Sequence, residues 1–348
     1  MRSKRLLFLS IVLLAAAAVC IFALLYFRFN PAGTQVDENE KIYSRYYAMI
    51  CDDRNSSFWQ RVYQGMTEAA ENSDCYVEFL GADLNSELST QELMDIAISS
   101  VVDGIMVLGN EREDMTALID KATDRGIPVV TMYTDNADSK RCSFVGVSAY
   151  SIGKEYGRQI LNAVTERDRL AGEDVKRDNK VTVLFDNSNL LYDHNLIISG
   201  IGDVLSREGE GMVFLTDSVA VDDVSPFSVE ESIRDIFMQE EIPDILVCLS
   251  ELDTTCAYQA LIDHNLVGSV YILGYHDSEK ILNAINRNVV YSTLAVDTAE
   301  MGRHCLEALD EYIESGNTNQ YFSTDVTMID RNNVSAYLIK EDGDEKKD

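Results

Sequence analysis

From Lys41 onward, short apolar runs alternate with longer amphipathic stretches, and this rhythm constrains the fold more than any other property of the chain. "KIYSRYYAMIC" reads as a strand, "SSFWQRVYQGMTEAAENS" as an amphipathic helix opened by serines able to cap its free amides, and "CYVEFLGA" as a second strand. "STQELMDIAISS" begins with the Ser/Thr-x-x-Glu/Gln spacing of a helix start. "DGIMVLG" reads as a buried strand, "REDMTALIDKATDRG" as a helix stopped at Gly126, and "IPVVTMY" as a further strand. The order then restarts with "SIGKEYGRQILNAVTERD", "KVTVLFD", "NLIISGIGDVLSREG" and "GMVFLT". It continues through "VEESIRDIFMQE", "DILVCLS", "TTCAYQALIDHN", "SVYILGYH", "SEKILNAINR" and "VVYSTLAV". "AEMGRHCLEALDEYIES" is the last long helix, followed by strand-like "STDVTMI" and "VSAYLI". Apolar strands separated by helices imply βαβ units, hence a parallel sheet covered on both faces. The expected class is α/β.

One echo points to two like lobes. "TALIDKATDRGIPVVTMYTD" and "QALIDHNLVGSVYILGYHD" share helix, turn, apolar strand and acidic exit in the same order. It is an echo of pattern, since ALID alone is a common helix filler.

Upstream, Leu6 to Phe27 is an uncharged run of twenty-two residues behind Arg2, Lys4 and Arg5. A bilayer core needs roughly 20 apolar helical residues. Residues 6–27 are therefore expected to be a transmembrane anchor, with 1–5 cytoplasmic and 28–40 a polar stalk outside. Ala17 and Val19 stand where lipid attachment to Cys20 wants a Leu-like and a small residue, so Cys20 is expected to be an ordinary apolar member of the span. Cleavage after Ala18 would leave an apolar new terminus.

Beyond the span, 25 basic residues face 59 acidic ones, a balance of about −34 that disfavours nucleic acid and anionic membrane surfaces. Cys51, Cys75, Cys142, Cys248, Cys256 and Cys305 show no CxxC or metal-finger spacing. Several lie in apolar runs and read as small buried hydrophobes, although their even number leaves disulfides open.

Enzyme signatures are missing. There is no P-loop, "GIGDVL" puts Leu205 where a dinucleotide fingerprint needs its third glycine, and "GVSAY" lacks the closing glycine of a nucleophile elbow. His194, His264, His276 and His304 are isolated, and paired carboxylates carry little information in so acidic a chain. No metal, cofactor or catalytic residue is expected.

In open α/β sheets, ligands collect beyond the carboxyl ends of the strands. Those exits read "CDDRNSSFW", Gly109–Asn110, "YTDN", "DNSN", "SELD" and "YHDS". Hydrogen-bonding groups beside aromatic faces suit a small polar ligand with one apolar side, such as a sugar. Loops are polar for other reasons too, so position alone leaves the choice even.

The stretches "NSSFWQRVYQGMTEAA", "VDGIMVLG…ALIDKATDRGIPVVTMYTD…SFVGVSAYSIGKEYGRQI" and "VYILGYHDSEKILNAI…TLAVDTAEMG" resemble the sugar-type, ribose-binding-like periplasmic binding proteins of type I, over about Lys41 to Ile339. Lac-repressor-type regulators share that fold but carry a DNA-binding headpiece where this chain has its apolar run. The resemblance implies two Rossmann-like lobes joined by three hinge crossings, near Val147–Ala149, Val296–Asp297 and Thr327–Asp330. The lobes would comprise 41–147 with 297–327, and 148–296 with 328–340, followed by a charged tail, 341–348, expected to be disordered.

Carried over residue by residue, Phe58 and Trp59 match the family's aromatic pair after strand one. The Asp-Arg pair after the IPV strand reads Tyr133–Thr134 here, with Asp135 one step late. A family arginine falls on Ile197, an Asn-Asp pair on Ser250–Glu251, the aspartate of "GFD" on His276, and a glutamine on Val296. With the strand exits, the expected ligand residues are Asn55, Ser56, Phe58, Trp59, Asn110, Tyr133, Thr134, Asp135, Ser250, Glu251 and His276. Loss of an arginine and an aspartate removes charge-assisted bonds to hydroxyls and argues against a simple pentose or hexose.

The expected function is a non-enzymatic extracytoplasmic solute-binding protein for a small polar ligand, a carbohydrate or derivative, acting by hinge closure. Its partner would be an ABC permease in uptake, or a sensor histidine kinase if the tethered lobes report ligand. A third reading, supported by Ile197 and Val296, is a degenerate scaffold that binds nothing.

Overall fold

The computed structural model describes residues 43–338, apart from 72, 85–87, 173–177, 187–193 and 222–224. The expected anchor 6–27, its flanks 1–5 and 28–40, and the tail 341–348 lie outside the described residues. Among the described residues, no helix is long and apolar enough to cross a membrane. Every strand and helix of the described residues lies in Arg45–Asp348, a compact unit.

Two six-stranded sheets carry the fold. The first contains β1 (Arg45–Ile50), β2 (Cys75–Phe79), β3 (Gly104–Leu108), β4 (Val129–Met132), β5 (Ser143–Gly146) and β11 (Tyr321–Ser323), in the order β11-β5-β4-β3-β1-β2. The second contains β6 (Asp178–Asp186), β7 (Val213–Val221), β8 (Ile245–Val247), β9 (Tyr271–Tyr275), β10 (Ser292–Val296) and β12 (Val326–Asp330), in the order β12-β10-β9-β8-β6-β7. All pairings are parallel except β10 with β12. The inner strands are apolar on both faces because helices cover both, so β4, β8 and β10 are buried at every residue.

The helices are α1 (Ser57–Ala70), α2 (Thr90–Ser100), α3 (Glu113–Asp124), α4 (Ala149–Ala171), α5 (His194–Glu208), α6 (Pro226–Phe237), α7 (Glu251–Asp263), α8 (Glu279–Asn286) and α9 (Thr298–Ser315). Helix α2 starts with a full capping box between Ser89 and Glu92. Helices α4 and α9 end at Gly172 and Gly316 in the left-handed conformation that glycine adopts without steric cost. Each lobe has one helix pair in backbone contact. A Cβ on Gly302 of α9 would lie 2.3 Å from the Val62 carbonyl oxygen of α1, and one on Gly153 of α4 would lie 2.1 Å from that of Ile197 in α5. Tyr156 of α4 is buried and donates to the carbonyls of Cys248 and Gly274, at 2.9 and 3.0 Å, tying that helix to the ends of β8 and β9.

The chain passes between the sheets at Val147–Ser148, at Asp297 and at Thr324–Asp325. The last passage comes earlier than the resemblance suggested: Thr327–Asp330 lie inside β12, paired with β10, so the first lobe's share ends before residue 326. The passages are laced together. Thr324 N–H donates to Gly146 at 2.8 Å, Asp297 N–H to Asp325 at 3.0 Å, and Asp325 N–H to the Glu300 carboxylate at 2.8 Å. Two expected strands also change. "STDVTMI" is divided between β11 and β12, and Ser335–Leu338, inside "VSAYLI", is helical. The six cysteines of the described unit are free thiols, and all but Cys142 are buried.

Candidate functional site

The two sheets meet at the carboxyl ends of β4 and β9. Tyr133 follows β4 and His276 follows β9, and both adopt a left-handed backbone, with φ of 66° and 71°. That conformation costs a side-chain-bearing residue roughly 1–2 kcal/mol. Strand pairing holds it in place: Tyr133 N–H donates to Val145 and His276 N–H to Leu294, each at 2.8 Å. Thr134 N–H then closes a three-residue turn onto Met132 at 2.8 Å, and the Thr293 hydroxyl donates to the His276 carbonyl at 2.6 Å.

The two side chains bond across the lobes, the Tyr133 hydroxyl lying 3.1 Å from His276 Nε2. Phe58 and Trp59, in the first turn of α1, complete the group. Phe58 stands edge-on to Trp59, Tyr133 and His276 at 5.0, 5.1 and 5.0 Å, and Trp59 stands 5.7 Å from Tyr133. Tyr275 flanks the imidazole at 4.5 Å. Burial among these rings, with the nearby Arg61 guanidinium, pushes the imidazole pKa down to about 4, so His276 is neutral near pH 7. Arg61, one helical turn beyond Phe58, forms a second bond across the lobes, to Asp277 at 2.5 Å.

The structure thus unites four of the expected residues, Phe58, Trp59, Tyr133 and His276. It engages the others locally. Asp135 is gripped by both Nε and Nη2 of Arg141 and also accepts from the Thr131 hydroxyl at 2.8 Å and Asn136 N–H at 2.7 Å. The Thr134 hydroxyl donates to the Gly109 carbonyl at 2.7 Å. Asn110 Oδ1 accepts from Arg112 N–H at 3.1 Å, and the Asn110 carbonyl accepts from the Asn136 amide at 2.6 Å. The Ser250 hydroxyl caps α7 by accepting Asp253 N–H at 3.0 Å. Glu251 is exposed in that helix's first turn, Ser56 precedes α1, and Asn55 is exposed with its N–H on Asp53. Ile197 is fully buried in α5, its backbone against Gly153, and Val296 pairs with Val326, so the sheet and helix cores account for their apolar character.

Arg61, Tyr275 and Asp277 escaped the sequence reading. Tyr275 and Asp277 stood in the quoted exit "YHDS" without being singled out, and Arg61 lies three residues after Phe58, on the same helical face.

A model of the periplasmic binding protein domain matches residues 47–318. The sequence matches no curated protein. Among solved structures, GanP, a glucose-galactose binding protein from Geobacillus stearothermophilus, matches with a TM-score of 0.68 and 19% identity over 83% of this chain and 98% of its own. A solute binding protein of an ABC transporter from Agrobacterium vitis, bound with alpha-D-tagatopyranose, gives 0.70 and 14% over 85% and 98%. The XylFII–LytSN complex gives 0.62 and 22% over 83% and 98%. These likenesses agree on the fold.

Proposed function

The chain belongs to the periplasmic binding protein family, solute-binding proteins and not enzymes, and on that premise we propose that it binds a small polar ligand, a carbohydrate or derivative, where the lobes meet. The observation that carries this reading is the group Phe58, Trp59, Tyr133 and His276 at the strand ends, with its hydroxyl–imidazole bond between lobes. Aromatic faces receive the apolar side of a sugar ring, while a phenol and a neutral imidazole each offer a donor or acceptor to its hydroxyls. The carbohydrate class is further supported by GanP and the tagatopyranose-bound protein. Ligand would stabilise the closed lobes by binding that state more tightly than the open one.

Residues 6–27 would tether the lobes outside the cytoplasm, and membrane fractionation with N-terminal sequencing tests that placement. Closure could serve delivery to an ABC permease or report to a signalling partner such as a sensor histidine kinase. The XylFII–LytSN complex, a protein of this fold joined to another protein, favours the reporting role.

The test is a thermal-shift panel of monosaccharides and their derivatives on the purified full-length chain. At least one compound should stabilise the protein, and Trp59→Ala and His276→Asn should abolish its effect. A folded protein that no member of the panel stabilises would favour the non-binding scaffold.

A further inference from the structure

The second lobe contains a cavity of about 570 Å³ at the end of its sheet away from the cleft, a size that suits a small organic molecule. One wall is a face of α4, where Asn162, Glu166, Arg169 and Leu170 recur at helical spacing. Its floor lies at the amino ends of β9 and β10. Tyr271 opens β9 and Tyr291 precedes β10, with their rings edge-to-face at 5.4 Å. His276 follows the opposite end of β9, so the cavity and the cleft are a strand's length apart, about 16 Å.

Of the carboxylates lining this cavity, one is paired with a cation and the other is held by amides. Glu166 pairs with Arg331 at 3.0 Å and accepts the hydroxyl of Tyr291, whose pKa is raised by burial and then by the Glu166 charge. Asp330 accepts the backbone and side-chain amides of Asn332, at 2.8 and 2.9 Å. Arg169 differs: it is exposed and makes no ion pair or side-chain hydrogen bond among the described residues. Beside it Leu170 is 66% exposed, and Val289 and Val290 add apolar lining. A guanidinium exposed at the rim of a two-ringed floor suits an anion with a flat apolar body. A carboxylate matches the guanidinium's planar pair of donors, and an aromatic ring matches the tyrosines.

We propose that this cavity is a second binding site, for a small aromatic carboxylate whose ring lies against Tyr271 and Tyr291 and whose carboxylate pairs with Arg169. The site is independent of any ligand in the cleft. The test is a titration of the full-length chain with phenylacetate and 4-hydroxybenzoate, followed by ligand-observed NMR, with neutral benzyl alcohol as the control. Saturable binding of the carboxylates is expected, weakened about tenfold in Arg169→Gln and in the neutral analogue, and unchanged in the cleft variant Trp59→Ala. Arg169 is exposed, so its replacement leaves folding intact, and Tyr271→Ala gives a second loss of binding from the floor. Absence of saturable binding, equal affinity in Arg169→Gln, or binding lost only with Trp59→Ala would each overturn the assignment.

Discussion

Replacing His276 with Asn should remove a pH dependence that the cleft imposes on folding. The imidazole titrates near 6.5 in an ordinary setting and near 4 in the folded protein, through burial first and Arg61 second. Between those values the unfolded chain binds a proton here that the folded chain refuses, so stability rises with pH through the window. The contribution is fully present above pH 6.5 and lost as pH falls towards 4. In full it amounts to about 3 kcal/mol, of which about 2 kcal/mol disappears between pH 7 and pH 5. Asparagine tolerates the left-handed backbone at this position and does not titrate. Urea unfolding at the two pH values, on wild type and His276→Asn, isolates the effect from the chain's many carboxylates, which titrate in both. Wild type should lose about 2 kcal/mol more than the variant. Equal losses would refute the account of a neutral imidazole enclosed by Phe58, Tyr133 and Tyr275.

Three further outcomes follow from the geometry. The Arg61–Asp277 pair has side-chain exposures of 33% and 20%, so a double-mutant cycle to Ala should give a coupling of about 1–2 kcal/mol in urea unfolding, between exposed and buried pairs. Coupling within the roughly 0.3 kcal/mol error of such cycles would remove it as a clamp between lobes. Gly302→Ala places a methyl against the Val62 carbonyl and should cost about 1–3 kcal/mol, read as a lower unfolding midpoint; an unchanged midpoint would show that α1 and α9 part freely. Asp135→Asn loosens the Arg141 fork and should lower stability by about 1–3 kcal/mol while leaving the affinity of any cleft ligand unchanged. A loss of affinity would show that Asp135 acts in the site as well as in its loop.

The alternation of apolar runs and helices was legible because burial on both faces demands uninterrupted apolar strands, and β3, β4, β8 and β10 have no other way to be covered. The division of "STDVTMI" was not. Its break at Thr324–Asp325 is set by which sheet each half pairs with, and no local residue announces it. "VSAYLI" alternates like a strand, yet Leu338 N–H bonds Val334 at 3.1 Å in a helical turn, and Val334 is buried in the second lobe's core. In the site, strand-exit position singled out Tyr133 and His276, which the structure brings together, and also Asp135, Thr134 and Ser250, which bond within their own surroundings, because a polar side chain at a strand end can equally well bind its own loop. What separates the cases is the partner. Arg141 lies six residues beyond Asp135, and nothing about either residue alone specifies that they pair.

The sequence echo carries more than a shared architecture. Counted from Thr116 and Gln259, Tyr133 and His276 occupy the same rank in the two stretches, and β4 and β9 occupy the same place in their sheets. Each donates its N–H to the next strand in the same way, and each turns left-handed there. Strain of this kind persists only where the surroundings over-determine it, and here the same strand pairings fix it twice. It directs a phenol and an imidazole out of equivalent positions towards one another. A ligand hydroxyl that bridges the two must break the 3.1 Å bond between them. Self-closure and ligand-bridged closure therefore use the same two atoms and exclude each other, and under the proposed function a ligand's advantage is the difference between those two closed arrangements.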